Sequence, residues 1–243
     1  MTYHSCSPPL HLSPLVHSVW SFHSSEEEFT TTILPDGMFD VIFSVIAGRV
    51  TTIVLTGIWT RPKNIVVQPK VIYYGIRFRL LAAEYIVEKS VAGIVNSEIK
   101  FDHPILFSEL RIVESFRFFC ESIWAELANI NLNIDGRKLQ FSNLVYSTNG
   151  SISIMSLQKK AEWNARSILR YLRTWLGVST KEYLQITRFK DALKDVMDEE
   201  VPDSFFDQAH FIRAVSTYSG QTPKRLARST PDRFIQLGTR RRP

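Results

Sequence analysis

Three arginines, Arg166, Arg170 and Arg173, recur at steps of four and three residues behind Asn164. Such steps bring side chains to one face of a helix. An arginine displayed there can hold both acceptors of a guanine edge at once, a discrimination worth about 1–3 kcal/mol per good contact. Asn164 is a suitable N-cap, because its side chain can accept an orphan N–H of the first turn. Ser167 lies beside the arginines, while Ile168 and Leu172 are placed to face a core. A first helix over 152–161 and a tight turn precede Asn164. Helix, turn and cationic helix together can enter a major groove. A solvated surface helix carries the same pattern, so the residues alone leave both readings open.

Other chemistry finds less support. His4, His11, His17 and His23 lie six or seven residues apart, which fits neither a helical pair nor a zinc signature. Cys6 and Cys120 are far apart in sequence and suggest plain thiols in or near a core, as in a reducing cytoplasm. No nucleophile elbow, phosphate-binding loop or dinucleotide fingerprint occurs, so neither an enzyme nor a cofactor is expected.

The elements that would position these residues divide the chain. Residues 30–34, 39–46, 50–59, 65–67 and 71–80 read as strands joined by Gly, Pro and Asp turns, among them Pro35-Asp36-Gly37. The stretch 39–46 is apolar at nearly every position and suggests a strand covered on both faces. Ile72, Tyr74, Ile76 and Phe78 alternate with Tyr73, Gly75, Arg77 and Arg79. After Leu81 the period changes. A short helix over 81–89 and a longer one over 107–128 are expected, the latter with Leu110, Val113, Phe116, Cys120, Ile123 and Leu127 on one stripe. That stripe suits either a dimer contact or packing on the chain's own sheet. Residues 129–136 read as a linker, and helices are expected over 152–161, 164–176, 180–197, 207–218 and 223–227. The expected fold is α+β: an antiparallel β-barrel or sandwich with flanking helices (1–135), then an all-α domain (143–243).

Charge follows the same division. Of a net +5, residues 1–150 carry −2 and residues 151–243 carry +7. A neutral front and a basic back is the footprint of a chain whose second part meets a polyanion. No apolar run is long enough for a membrane span, and the first residues lack a secretory pattern.

The order of words in the basic part resembles the AraC/XylS family of transcription regulators. Residues 157–161, 164–172 and 176–183, the last reading Leu-Gly-Val-Ser-Thr-Lys-Glu-Tyr, are similar to that family's first helix-turn-helix and the turn into its linking helix, with Arg188 and Ala192. Residues 205–213 and 219–223, ending Ser-Gly-Gln-Thr-Pro, resemble its second recognition helix and closing turn. The resemblance covers about 75 residues. It implies a double helix-turn-helix that contacts two successive major grooves of double-stranded DNA. Arg166, Ser167 and Arg170 would read bases from one helix, and Gln208, His210 and Arg213 from the other. Lys159, Lys160, Arg173 and Lys181 would contact phosphates. Three features depart from the pattern: Glu162 stands where the family has glycine, Gln158 where it has a small residue, and the acidic link 192–207 is short.

The front part carries a weaker resemblance, in residues 8–20, 33–43 and 75–78, to the N-terminal domain of some AraC-type regulators. It implies a cupin-like barrel that senses a small-molecule effector or dimerises, with Asp36, Asp40, Arg77 and Arg79 lining its pocket. A turn cap at Asp36 and a solvent-facing arginine pair would account for the same residues. Homodimerisation, RNA polymerase as a partner, no membrane contact and a cytoplasmic location follow from the regulator reading. The alternative is a ligand-binding or protein-interaction module whose helical tail no longer reads DNA.

Overall fold

The computed structural model describes residues 2–101, 106–107, 109–130, 132–197 and 208–228. Its strands are β1 (Thr2–Cys6), β2 (Val16–His23), β3 (Phe29–Ile33), β4 (Phe39–Ile46), β5 (Arg49–Thr56), β6 (Lys63–Val67), β7 (Ile72–Phe78) and β8 (Glu98–Lys100). The helices are α1 (Ala82–Tyr85), α2 (Phe116–Ala128), α3 (Gly136–Ser147), α4 (Ile154–Lys160), α5 (Ala165–Leu176), α6 (Thr180–Met197), α7 (Gln208–Ser219) and α8 (Pro223–Ala227). The fold is α+β, as the change of period predicts.

Six strands form one antiparallel sheet in the order β1-β2-β7-β4-β5-β8, and β3 pairs with β6 in a separate ribbon. The sheet is open. Strands β1 and β8 are its edges and do not pair with each other, so the closed form of the expected barrel is corrected to two layers. Along the central strand β4, Phe39, Val41, Phe43 and Val45 are buried on one face. Asp40, Ile42 and Ser44 alternate with them and line a cleft that β3 and β6 help to close. Both faces are covered, which is why the sequence of β4 is apolar almost throughout.

The first face of β4 receives α2, with the Phe119 ring 5.2 Å from Phe43 and 4.9 Å from Tyr74. This helix is shorter than the apolar stripe predicts. Leu110 and Val113 are buried, but from a non-helical segment that bonds to the β4–β5 hairpin: Val113 N donates to Gly48 O (2.9 Å) and Val50 N to Arg111 O (3.0 Å). Those backbone groups are then unavailable to a helix. It starts only where the Ser115 hydroxyl can accept from Phe118 N (3.1 Å). The α2 stripe lies on its own sheet rather than on an open face.

Helix α3 occupies part of the expected linker. Asp135 caps it by accepting from Arg137 N (2.8 Å), and Phe141 and Val145 are fully buried. The Asp-Gly pair that reads as a turn is a helix start. Downstream, α4 to α8 match the expected helices to within three residues at each end. No described helix is long and apolar enough to cross a membrane.

Candidate functional site

Helices α4 and α5 and the turn between them are built from local capping. Ser153 opens α4 by accepting from Ser156 N (3.1 Å), and Leu157 and Ala161 turn into the core. Glu162 takes a positive φ of 49° in the turn. A side chain in that left-handed region is strained by about 1–2 kcal/mol relative to glycine. Asn164 accepts from Ser167 N (2.9 Å), and Gln158 Oε1 accepts from Ala165 N (3.2 Å), so two side chains satisfy orphan donors of α5. The departure at Gln158 therefore has a structural role. Helix α5 ends at Gly177, whose φ of 77° lets its N–H reach Leu172 O and Arg173 O.

Ile168, Tyr171, Leu172 and Leu176 bury one face of α5, with Trp163 wedged between Tyr171 and Phe141. Arg166, Arg170 and Arg173 are exposed on the other, Ser167 is half-buried, and Lys159, Lys160 and Lys181 are exposed nearby. None of these six cations has a carboxylate partner among the described residues. The C-terminal half of α5 is docked on the segment after α1: Val91 N donates to Trp175 O (2.9 Å) and Ser90 Oγ to Thr174 O (2.5 Å). A Cβ on Gly177 would meet Ala92 O at 2.8 Å.

The segment expected to hold the second motif is described from α7 onward. Phe211, Val215 and Tyr218 bury one face of α7. Arg213 is exposed and turns its Nε to Ala209 O of its own helix (3.3 Å). Gln208 and His210 lie in the first turn of α7, and their side chains are outside the description, as are the acidic link 198–207 and the tail after Arg228. Gly220 has φ 71°. Thr222 then caps α8, with Pro223 at its first position.

The remaining four predicted residues sit on the sheet. Arg77 NH1 is 3.4 Å from Asp36 Oδ2 and its Nε 3.2 Å from Asp40 Oδ1, while Trp20 Nε1 also donates to Asp40 Oδ1 (2.9 Å). Trp20 can lie there because residue 75 is glycine: a Cβ would stand 2.1 Å from the indole. Asp36 additionally caps its turn by accepting from Met38 N (3.0 Å). Burial pushes the Asp40 carboxyl upward, against the pull of Arg77. Burial alone would weaken the Arg77 charge, but Asp40 and Asp36 outweigh it and raise its pKa.

This cluster divides two clefts. One, of about 490 Å³, lies between the β1–β2–β7 side of the sheet and α6, and is lined by Tyr3, Cys6, His17, Asp36, Arg79 and Lys190 among others. The second, of about 340 Å³, lies between the sheet and the β3–β6 ribbon and is lined by Trp20, Phe22, Trp59 and Tyr73, with Asp40. Arg77 borders both. Arg79 stacks over the Tyr146 ring (4.7 Å), and its Nε is buried without a hydrogen-bond partner among the described residues. His17 is held neutral, its pKa pushed down to about 2 by burial and then by Lys190, Arg77 and Arg79. On α6, the buried Tyr183 donates to Gly37 O (2.8 Å). Its single proton is thereby committed, so Tyr146 must be the donor in their 2.8 Å hydroxyl contact.

Sequence reasoning missed His17, Lys190, Tyr146 and Tyr183. His17 comes from β2, Tyr146 from α3, and Tyr183 and Lys190 from α6, so no single spacing connects all four. The four histidines do not converge: His4 and His23 pack edge to face at 6.1 Å, whereas His17 faces the first cleft.

A family model described as a domain of unknown function (DUF6597) matches residues 4–100, the span from β1 to β8. No curated protein matches. Among solved structures the chain is similar to ToxT of Vibrio cholerae. An apo variant gives a TM-score of 0.42 at 10% identity, covering 86% of this chain and 96% of that one. A second ToxT structure gives 0.40 at 11%, covering 93% and 98%. ToxT bound to (E)-4-(8-methylnaphthalen-1-yl)but-3-enoic acid gives 0.40 at 10%, covering 93% and 97%.

Proposed function

We propose that the protein is a DNA-binding transcription regulator of the AraC type, with no catalytic activity, in which α5 reads a major groove. The observation that carries this reading is the outer face of α4 and α5. A helix start held by Asn164 and Gln158 presents Arg166, Arg170 and Arg173 to solvent, and none of them is ion-paired among the described residues. Arginines held in ion pairs would have little left for a base edge, and these are not so held. Lys159, Lys160 and Lys181 lie where phosphate contacts would fix the register. Helix α7, through Arg213, would enter the next groove.

The two clefts around Asp36, Asp40, Arg77 and Arg79 supply room for a small-molecule effector beside α6. Because α5 is tied to the 90–95 segment, an effector that moves the sheet against α6 would also move the reading helix. The regulator would act as a cytoplasmic homodimer in contact with RNA polymerase.

The test is competition binding of the full chain to genomic fragments, starting with DNA upstream of its own gene, over a range of salt. A regulator prefers one fragment over random DNA by about 10³-fold or more. Changing Arg166 and Arg213 to Ala should relax base preference. Equal, weak binding to every fragment would favour the second reading, an interaction module with a tail that does not read DNA. One observation supports that rival: half of α5 is already docked on the chain's own front part.

A further inference from the structure

We propose that Cys6 and Cys120 form a reversible disulfide that ties the edge strand β1 to α2 and fixes one wall of the larger cleft. These are the chain's two cysteines, 114 residues apart in sequence. Strand β1 meets the first turn of α2. The His4 ring packs on Phe116 at 5.9 Å. Two residues further along a strand is about 6.8 Å, and four residues further along a helix is about 6 Å. The next same-face position on β1 is Cys6, and the next on α2 is Cys120. The thiols are near enough that Cys6 acts on the Cys120 charge.

Their environments differ in the way a two-step oxidation needs. Cys6 is half-buried, lines the larger cleft and can be reached from solvent. Cys120 is buried, and burial followed by the neighbouring Cys6 pushes its pKa up to about 12. Cys6 is therefore the entering thiol and Cys120 the resolving one. The oxidant is a small disulfide such as oxidised glutathione. Deprotonated Cys6 attacks one of its sulfurs, forming a mixed disulfide and releasing one small thiol. With Cys6 so capped, its contribution to the raised Cys120 pKa is lost. Cys120 then gives its proton to solvent and attacks the Cys6 sulfur, releasing the second small thiol. The two cysteines lose two protons and two electrons, and the small disulfide gains them.

The consequence is mechanical. Strand β1 pairs on one side only, with β2, so its backbone can leave the sheet at small cost. Tyr3 and Cys6 from this strand line the larger cleft. A bond to α2 removes that freedom, and reduction by a dithiol restores it. The bond stands or falls independently of DNA binding.

The test equilibrates the full chain with oxidised and reduced glutathione at mildly alkaline pH. Free thiols are counted, disulfides are mapped by non-reducing peptide mass spectrometry, and hydrogen exchange of β1 is followed. The expected result is loss of both thiols within a monomer, a Cys6–Cys120 cross-linked peptide, and exchange of β1 amides slowed about tenfold or more. Cys6→Ser should keep one thiol and exchange at the same rate with or without oxidant. A reaction that stops with one glutathione on Cys6, a disulfide between chains, or two thiols persisting in the oxidised buffer would each overturn the proposal.

Discussion

Arg77 and Arg170 are the same residue in opposite circumstances. On β7, Arg77 lies in a buried nest with Asp36, Asp40 and the Trp20 indole within reach, its side chain 15% exposed. On α5, Arg170 stands in solvent with Arg166 and Arg173 and forms no ion pair among the described residues. The first charge is offset by the fold itself, because a buried ion costs several kcal/mol unless it is paired and hydrogen-bonded. The second pays no such penalty and keeps its donors for a partner. Arginine identity and helix or strand periodicity say nothing about this difference; the neighbouring carboxylates decide it.

The comparison is tested most severely at the buried end. Arg77→Ala leaves Asp36 and Asp40 without their cation and should lower stability by about 3–5 kcal/mol, read from the urea midpoint at neutral pH. A loss below 1 kcal/mol would mean that the nest is hydrated and the contrast is overdrawn. Burial of His17, reinforced by the field of Lys190, Arg77 and Arg79, gives the next largest effect. His17 titrates near 6.5 when unfolded and near 2 when folded, so below pH 6.5 only the unfolded chain takes up this proton. Stability should then fall by at most about 1.4 kcal/mol per pH unit between 6.5 and the acid transition. His17→Gln should flatten that slope, and an unchanged slope would assign it to other groups.

Smaller effects belong to the exposed end. Glu162→Gly relieves a positive φ in the turn before α5 and should raise stability by about 1 kcal/mol in thermal melts, with the exposed arginines of α5 untouched. Arg170→Ala should change stability by less than about 0.5 kcal/mol, yet weaken DNA binding and flatten its dependence on salt. If Arg170→Ala destabilised the fold as much as Arg77→Ala, the two arginines would not be the contrasting pair described above.

Much of the architecture was legible. Helices α4 to α8 announce themselves through caps and breakers, Asn164, Gly177, Gly220 and Thr222-Pro223, which act over a few residues and so are written locally. The strands from β3 to β7 were legible through alternation and turn chemistry. Elements whose form depends on distant partners were not. The segment 109–115 has a helical stripe but bonds to the β4–β5 hairpin, and α3 hides behind an Asp-Gly pair that looks like a turn. Strand β1, too short and polar to show a pattern, exists because β2 offers it an edge.

The same division runs through the functional residues. By itself, the sequence determined which side chains α5 turns outward, because helical spacing and capping are short-range. It likewise determined the basic charge of the chain's second part, a matter of composition. Only the tertiary structure decided that Asp36, Asp40 and Arg77 neutralise one another, that Arg79 meets the Tyr146 ring, and that Cys6 comes to rest beside Cys120. Burial and pairing are properties of what surrounds a group, and in this chain those surroundings arrive from distant strands and helices, as Tyr183 reaches Gly37 across 146 residues.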